Sequence, residues 1–201
     1  MMIYRKCVGK AVRSTTSSGK SEKKSVFFKN NMDCAIDLVA HKIDGIRVNI
    51  KEYCIIPIVK KELKKTIHGV VYPIYKWDVL SKCSQGRYEF IKRNYEIEYD
   101  KGNCNLIEAL QTIKEYLMTC KKVYVKNPII GKFLSDYFTP KAKIVSLESF
   151  GINNLDMISK NSQYYCSYHN NLGVSQCAQH DAIIIAWCIV NPSLFENLFT
   201  E

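Results

Sequence analysis

Two long runs of β-branched and apolar residues, "CAIDLVAHKI" from Cys34 and "IRVNIKEYCIIPIV" from Ile46, flank the dipeptide Asp44-Gly45. Asp-Gly accepts the positive φ angles of a two-residue hairpin turn, and β-branched side chains suit a pleated surface. The spacing predicts a long antiparallel hairpin, and the rest of the chain has to pack around it. "HGVVYPIY" predicts a third strand, with Pro73 at its end or on an edge because proline cannot donate to a ladder.

The pattern then changes. In "KWDVLSKCSQGRYEFIKRNYEIEYDKGN", Gly86 and Gly102 punctuate mixed or helical pieces. "NLIEALQTIKEYLMTC" has helical spacing at Leu106, Ala109, Leu110, Ile113 and Leu117, with Asn105 as its N-cap. "KVYVKN" reads as a strand, "PIIGKFLSDYF" as a helix opened by Pro128, and "AKIVSLE" as another strand. "NNLDMIS" is a helical turn, and "QHDAIIIAWCIVNP" is a last helix that stops before Pro192. A meander followed by parallel strand–helix units predicts an α/β, RNase H-like architecture, and a generic α/β sandwich has a similar order.

The 201 residues suit one domain, which we place at 26–201 behind a flexible basic arm at 1–25. Arg5, Lys6, Lys10, Arg13, Lys20, Lys23 and Lys24 face one acid, Glu22, and no periodicity there would bury a face. The net charge of +10 sits mostly in this arm and points to phosphate-bearing partners, DNA or RNA, unless the arm only solubilises the chain. "RYEFIKRNYEIEY" interleaves aromatics with Arg87, Lys92 and Arg93, which suits single strands or an ordinary basic helix face. "KKELKK" at 60–65 is a loop or a phosphate contact. Nine cysteines, an odd count placed partly within apolar runs, read as reduced thiols. Without a signal-like start or a membrane-length run, the expected setting is cytoplasmic or nuclear, with no membrane partner.

"CSYHNNLGVSQCAQHDAIIIAWC" holds Cys166, His169, Cys177 and His180 as two Cys-x-x-His pairs. Four nitrogen and sulfur ligands are what tetrahedral zinc takes. The alternative is a cysteine-rich helix start and loop with no metal. Asp37 on its apolar strand is either a ligand or a hydrogen-bonded aspartate. His41 and His68 have no partner deducible from sequence, and Trp77 and Trp187 read as core.

"AIDLVAH", "VYVKNPIIGKFLSDYF" and "CAQHDAIIIAWC" resemble the three motif regions of DEDD 3′–5′ exonucleases, over about residues 33–190. That resemblance implies two divalent cations, magnesium or manganese, on four carboxylates, with Asp37 and Asp181 as two of them. The chain departs from the pattern. Val39 stands where the family has glutamate, "KNPIIGK" carries no carboxylate, and Cys177 lies one turn before Asp181 where the family has its general base. The resemblance therefore implies an eroded, non-catalytic domain, or an active nuclease if Glu98, Asp100, Glu108 or Glu148 completes the set. The same stretches also resemble uncharacterised insect-virus and arthropod mobile-element proteins, in which Cys166, His169 and Cys177 match repeated positions and His180 a variable one. This implies a nonstructural viral or element-encoded protein; the expected partner is nucleic acid, with a host or viral protein as the alternative.

Overall fold

The computed structural model describes residues 32–43, 46–150, 166, 169 and 177–193. The basic arm, the Asp44-Gly45 turn and the helical turn at 153–159 lie outside the described residues.

Strands β1 (Met32–Ile43) and β2 (Ile46–Val59) form the long antiparallel hairpin, closing at Ile43 opposite Ile46. Lys60 and Lys61 both take positive φ, turning the chain into the two-residue β3 (Glu62–Leu63), so "KKELKK" is a tight turn and an edge strand. The expected third strand is β4 (Ile67–Val70), paired with β2 and ending before Pro73. Gly69 faces Tyr53 across this pair, and any Cβ there would overlap the Tyr53 ring.

Helix α1 (Lys82–Tyr95) starts at Ser81, whose hydroxyl accepts the Ser84 N–H, and it runs through Gly86 without a break. Helix α2 (Leu106–Thr119) opens with a capping box between Asn105 and Glu108. Strand β5 (Lys122–Val125) joins β1 in parallel. Helix α3 (Pro128–Phe138) follows, and β6 (Lys143–Ser146) adds in parallel to β5. Helix α4 (Ala178–Val190) ends at Asn191, before Pro192. The sheet order is β3-β2-β1-β5-β6, with β4 also on β2. The predicted meander and parallel units are thus both present, in an α/β fold. No helix among the described residues is long and apolar enough to cross a membrane.

Strand alternation divides the core. Cys34, Ile36 and Leu38 face α2 and α3, packing with Ala109, Ile113, Leu117 and Leu134. Ala35 and Val39 face the other side, with Tyr88 and Ile91 of α1 and Ala178, Ala182 and Ile185 of α4. Asp37 lies between Ala35 and Val39 on that second face. Trp77 packs edge-on to Tyr99, with ring centroids 5.0 Å apart, as a core residue would. Trp187, read as core from sequence, is instead exposed on α4.

Candidate functional site

The β1–β2 ladder carries an irregularity beside Asp37. Val39 pairs with Glu52 and Ala40 with Ile50, which leaves Lys51 as the extra residue of a bulge. The bulge sends the buried Lys51 to three carbonyls, those of Val71, Tyr99 and Lys101, at 3.0, 2.9 and 2.6 Å. All three ammonium protons are satisfied, yet burial holds the Lys51 pKa down at about 8. Glu52, the next residue, is fully buried on the α4 face.

Glu52 is the centre of a polar cluster that sequence reasoning missed. Its Oε2 accepts the Ala178 N–H at 3.1 Å, so a carboxylate from β2 caps the N-terminus of α4. Its Oε1 lies 2.8 Å from His68 Nε2, 3.6 Å from Cys177 Sγ and 3.7 Å from His169 Nε2. The His169 N–H donates to the Cys166 carbonyl, a turn that brings both side chains to one place. The ligand atoms of Glu52, Cys166, His169 and Cys177 all lie within 4.8 Å of one another. His180, the fourth ligand expected from spacing, is outside this group, with Nδ1 3.6 Å from Asp181 Oδ1. The His169 side chain is only 3% exposed, and neither ring nitrogen has a hydrogen-bond partner among the described residues. These four donors are of the types that a metal ion takes. The hydrogen bond with Cys166, burial and the Glu52 charge together push the Cys177 thiol far up. Burial lowers the His68 pKa, but the hydrogen bond and charge of Glu52 outweigh it and the net shift is upward.

Asp37 and Asp181 do come together. Asp181 sits in the first turn of α4, and its Oδ2 accepts from Lys126 Nζ at 2.7 Å. Burial and then the Asp181 charge raise the Asp37 pKa well above the usual carboxylate range, against the pull of Lys126. Asp37 Oδ1 and Asp181 Oδ1 accept no hydrogen bond among the described residues. Of the carboxylates considered as replacements, Glu98 pairs with Lys92, Glu108 caps α2 and Glu148 lies exposed after β6. The field of Asp100 acts on Lys51 rather than on Asp37.

A cleft of about 530 Å³ opens over the β1 end of this site, between α1 and the start of α3. Arg87, Phe90 and Tyr95 of α1, His41 of β1, and Asn127 and Ile129 line it. Burial and then the Asp37 charge raise the Tyr95 pKa, with Lys126 opposing, while Asp37, Lys126 and Asp181 themselves do not line the cleft. Phe90 and Ile129 are exposed apolar surfaces on the cleft, and the Asn127 side chain caps α3 by accepting the Ile130 N–H. Arg87 is therefore a cleft residue, whereas Lys92 pairs with Glu98, just past the end of α1, and Arg93 donates to the Glu89 carbonyl within it. Arg5, Lys6, Lys10, Arg13, Lys20, Lys23 and Lys24 lie outside the described residues. The missed Glu52 had one signal in the sequence: Lys51-Glu52 is a charged pair inside an apolar central strand, where unpaired charge is not tolerated.

No protein-family model matches the chain, and no curated protein matches it. Solved structures do. The nuclease domain of 3′hExo, a DEDDh family member bound to rAMP, is 16% identical, with 83% of this chain and 93% of that chain covered and a TM-score of 0.52. A structure of exonuclease I is 10% identical, with 85% and 44% covered and a TM-score of 0.51. The exonuclease I of Methylocaldum szegediense is 11% identical, with 84% and 42% covered and a TM-score of 0.50. The chain thus spans less than half the length of the two exonuclease I chains. At these identities the likeness is one of fold, and it agrees with the mixed sheet and helix order described above: the chain has the RNase H-like fold of DEDDh exonuclease nuclease domains.

Proposed function

We propose that this chain is a nucleic-acid-binding accessory protein that holds a single strand in the cleft beside Asp37 and Asp181 and does not cleave it by two-metal chemistry. The observation that carries this reading is the cleft itself. Its guanidinium, Arg87, suits a phosphate, and exposed Phe90 offers a face on which a base can stack. A similar fold, the 3′hExo nuclease domain, is bound to rAMP. The basic residues at 1–25 add affinity that depends on salt rather than on sequence. The resemblance to insect-virus and mobile-element proteins supports an origin in such an element.

Zinc is the metal that the Cys-rich cluster suits. Glu52, Cys166, His169 and Cys177 would hold it as a closed, four-ligand structural site, with His68 orienting the carboxylate. It would fasten β2 to the start of α4.

Binding of labelled single-stranded RNA and DNA oligonucleotides, measured against salt, tests the function. Removing residues 1–25 is expected to weaken binding to every sequence and to flatten the salt dependence. Arg87→Ala is expected to weaken it further. Unchanged affinity in both variants would sink the reading.

One observation favours a second reading, a metal-dependent nuclease. Asp37, Asp181 and Glu52 are three buried carboxylates close enough for the latter two to shift the titration of the first. Cleavage of labelled strands in magnesium or manganese, lost in Asp181→Ala, would reverse the order of the two readings.

A further inference from the structure

A divalent ion in this fold needs carboxylate oxygens left open to it. The resemblance implies two ions and four carboxylates, and the residues present do not fit them. Glu52 stands with the cysteines, as one of the four donors of that separate cluster. Val39, two residues after Asp37, is apolar and buried. The segment between β5 and α3 offers Lys126 and Asn127, and the Asn127 side chain is spent capping α3. What remains is Asp37, Asp181 and one ammonium.

That ammonium is placed where an ion would be needed. Lys126 Nζ lies 2.7 Å from Asp181 Oδ2, and its field acts on Asp37 as well. The Asp181 side chain is 3% exposed, while that of Lys126 is 31% exposed. The lysine therefore pairs with a buried carboxylate and is still partly exposed, one residue before Asn127, which lines the cleft. Two carboxylate oxygens, Asp37 Oδ1 and Asp181 Oδ1, are buried and accept no hydrogen bond among the described residues.

We propose that Lys126 takes the place of the divalent cations of this fold, serving as the resident counter-ion of the Asp37–Asp181 pair and as a metal-independent phosphate contact at the cleft. A lysine ammonium is a compact point charge with three donors, so it can keep one proton on Asp181 and offer another to a phosphate oxygen. A divalent ion beside it would meet like charge at short range. The phosphate part of this proposal rests on the cleft being a nucleic-acid site, and the counter-ion part does not.

The test uses the full chain as purified, with manganese as the probe ion. Manganese binding is measured by electron paramagnetic resonance and calorimetry for the wild type, Lys126→Ala and Lys126→Arg. The wild type and Lys126→Arg are expected to bind none at this site, and Lys126→Ala about one ion, lost again when Asp181→Asn is added. Stoichiometric manganese in the wild type, removed by Asp181→Asn alone, would overturn the counter-ion role, as would a folded Lys126→Ala chain that gains no ion.

Binding of a single-stranded oligonucleotide is then compared in magnesium and in magnesium-free buffer. Affinity is expected to be the same in both. Lys126→Ala is expected to lose roughly tenfold in affinity and about one unit of salt slope. If Arg87→Ala weakens binding and Lys126→Ala does not, the phosphate contact fails while the cleft reading stands. If neither substitution matters, the cleft reading fails with it. Should Lys126→Ala not fold, the uncharged pair Lys126→Met/Asp181→Asn removes both charges together. It is expected to show the same loss of strand affinity, and wild-type affinity in that folded pair would overturn the proposal.

Discussion

Protonating His41 should destabilise the fold in a pH window that the geometry defines. His41 lies where β1 lines the cleft, edge-on to Tyr88 at 4.5 Å between ring centroids. Asn49 Nδ2 is 3.1 Å from His41 Nε2 and also donates to the Tyr88 hydroxyl at 2.9 Å. With the amide so oriented, Nε2 is an acceptor and the ring is neutral. A second ring proton would point one donor at another. Burial, followed by the charges of Arg87 and Lys51, holds the pKa at about 4 against 6.5. Above pH 6.5 the ring is neutral in both states and the full stability is present. As pH falls below 6.5 the unfolded chain takes up a proton that the folded chain refuses until about pH 4. Linkage makes the loss about 2 kcal/mol at pH 5 and about 3 kcal/mol near pH 4, an upper bound because the ring is not wholly buried. Urea unfolding of the wild type and His41→Gln at pH 7.5, 6, 5 and 4 isolates this difference, because acid effects on the rest of the chain are common to both. Superimposable pH dependences would refute the reasoning. Arg87→Gln is expected to raise the His41 pKa, read by NMR, and a phosphate seated on Arg87 is expected to do the same.

The remaining predictions concern the scaffold. Purified protein is expected to carry about one zinc per chain, lost in Glu52→Gln, and His68→Ala is expected to weaken zinc binding by about 10- to 100-fold in a competition titration with a chelating dye. Zinc retained at full affinity in Glu52→Gln would remove that residue from the ligand set. Gly69→Ala is expected to cost about 1–3 kcal/mol, because the new Cβ overlaps the Tyr53 ring. An unchanged urea midpoint would show that the ring moves aside freely.

The fold was largely legible because its signals are local. The β-branched residues of "CAIDLVAHKI", the Asn105 N-cap and Pro128 at a helix start each act within a few residues, and each appears where expected. Gly86 misled because a lone glycine costs an exposed helix only about 1 kcal/mol, which the burial of Tyr88 and Ile91 offsets. The Glu52 cluster was not legible. Which residue of β2 stands beside Cys177, 125 positions later, depends on the β1–β2 register, and that register is shifted by the Lys51 bulge. Spacing alone proposed His180, since a Cys-x-x-His repeat looks self-contained. It could not show that β2 brings a carboxylate to the same point. Lys126 was hidden for a similar reason: a lysine after a strand reads as solvated until a helix from the far end of the chain sets Asp181 against it.

The Glu52–cysteine cluster and the Asp37–Asp181 pair share one piece of framework, and this makes them unequal partners. Cys177 and Asp181 lie one turn apart on α4, joined by the Asp181 N–H to the Cys177 carbonyl at 2.9 Å. Val39 faces Glu52 across the hairpin, and Asp37 is the next residue on the same face of β1. A metal held by Glu52 and Cys177 therefore fixes the start of α4 on β2, and with it the distance between Asp181 and Lys126. Lys126 has no comparable hold on the cluster, since the ligands reach one another without it. Removing zinc is accordingly expected to weaken strand binding even though no ligand lines the cleft, whereas Lys126→Ala is expected to keep its zinc. If chelation unfastens α4 without changing strand affinity, the cleft draws its geometry from β1, α1 and α3 alone, and the carboxylate site is not part of how the strand is held.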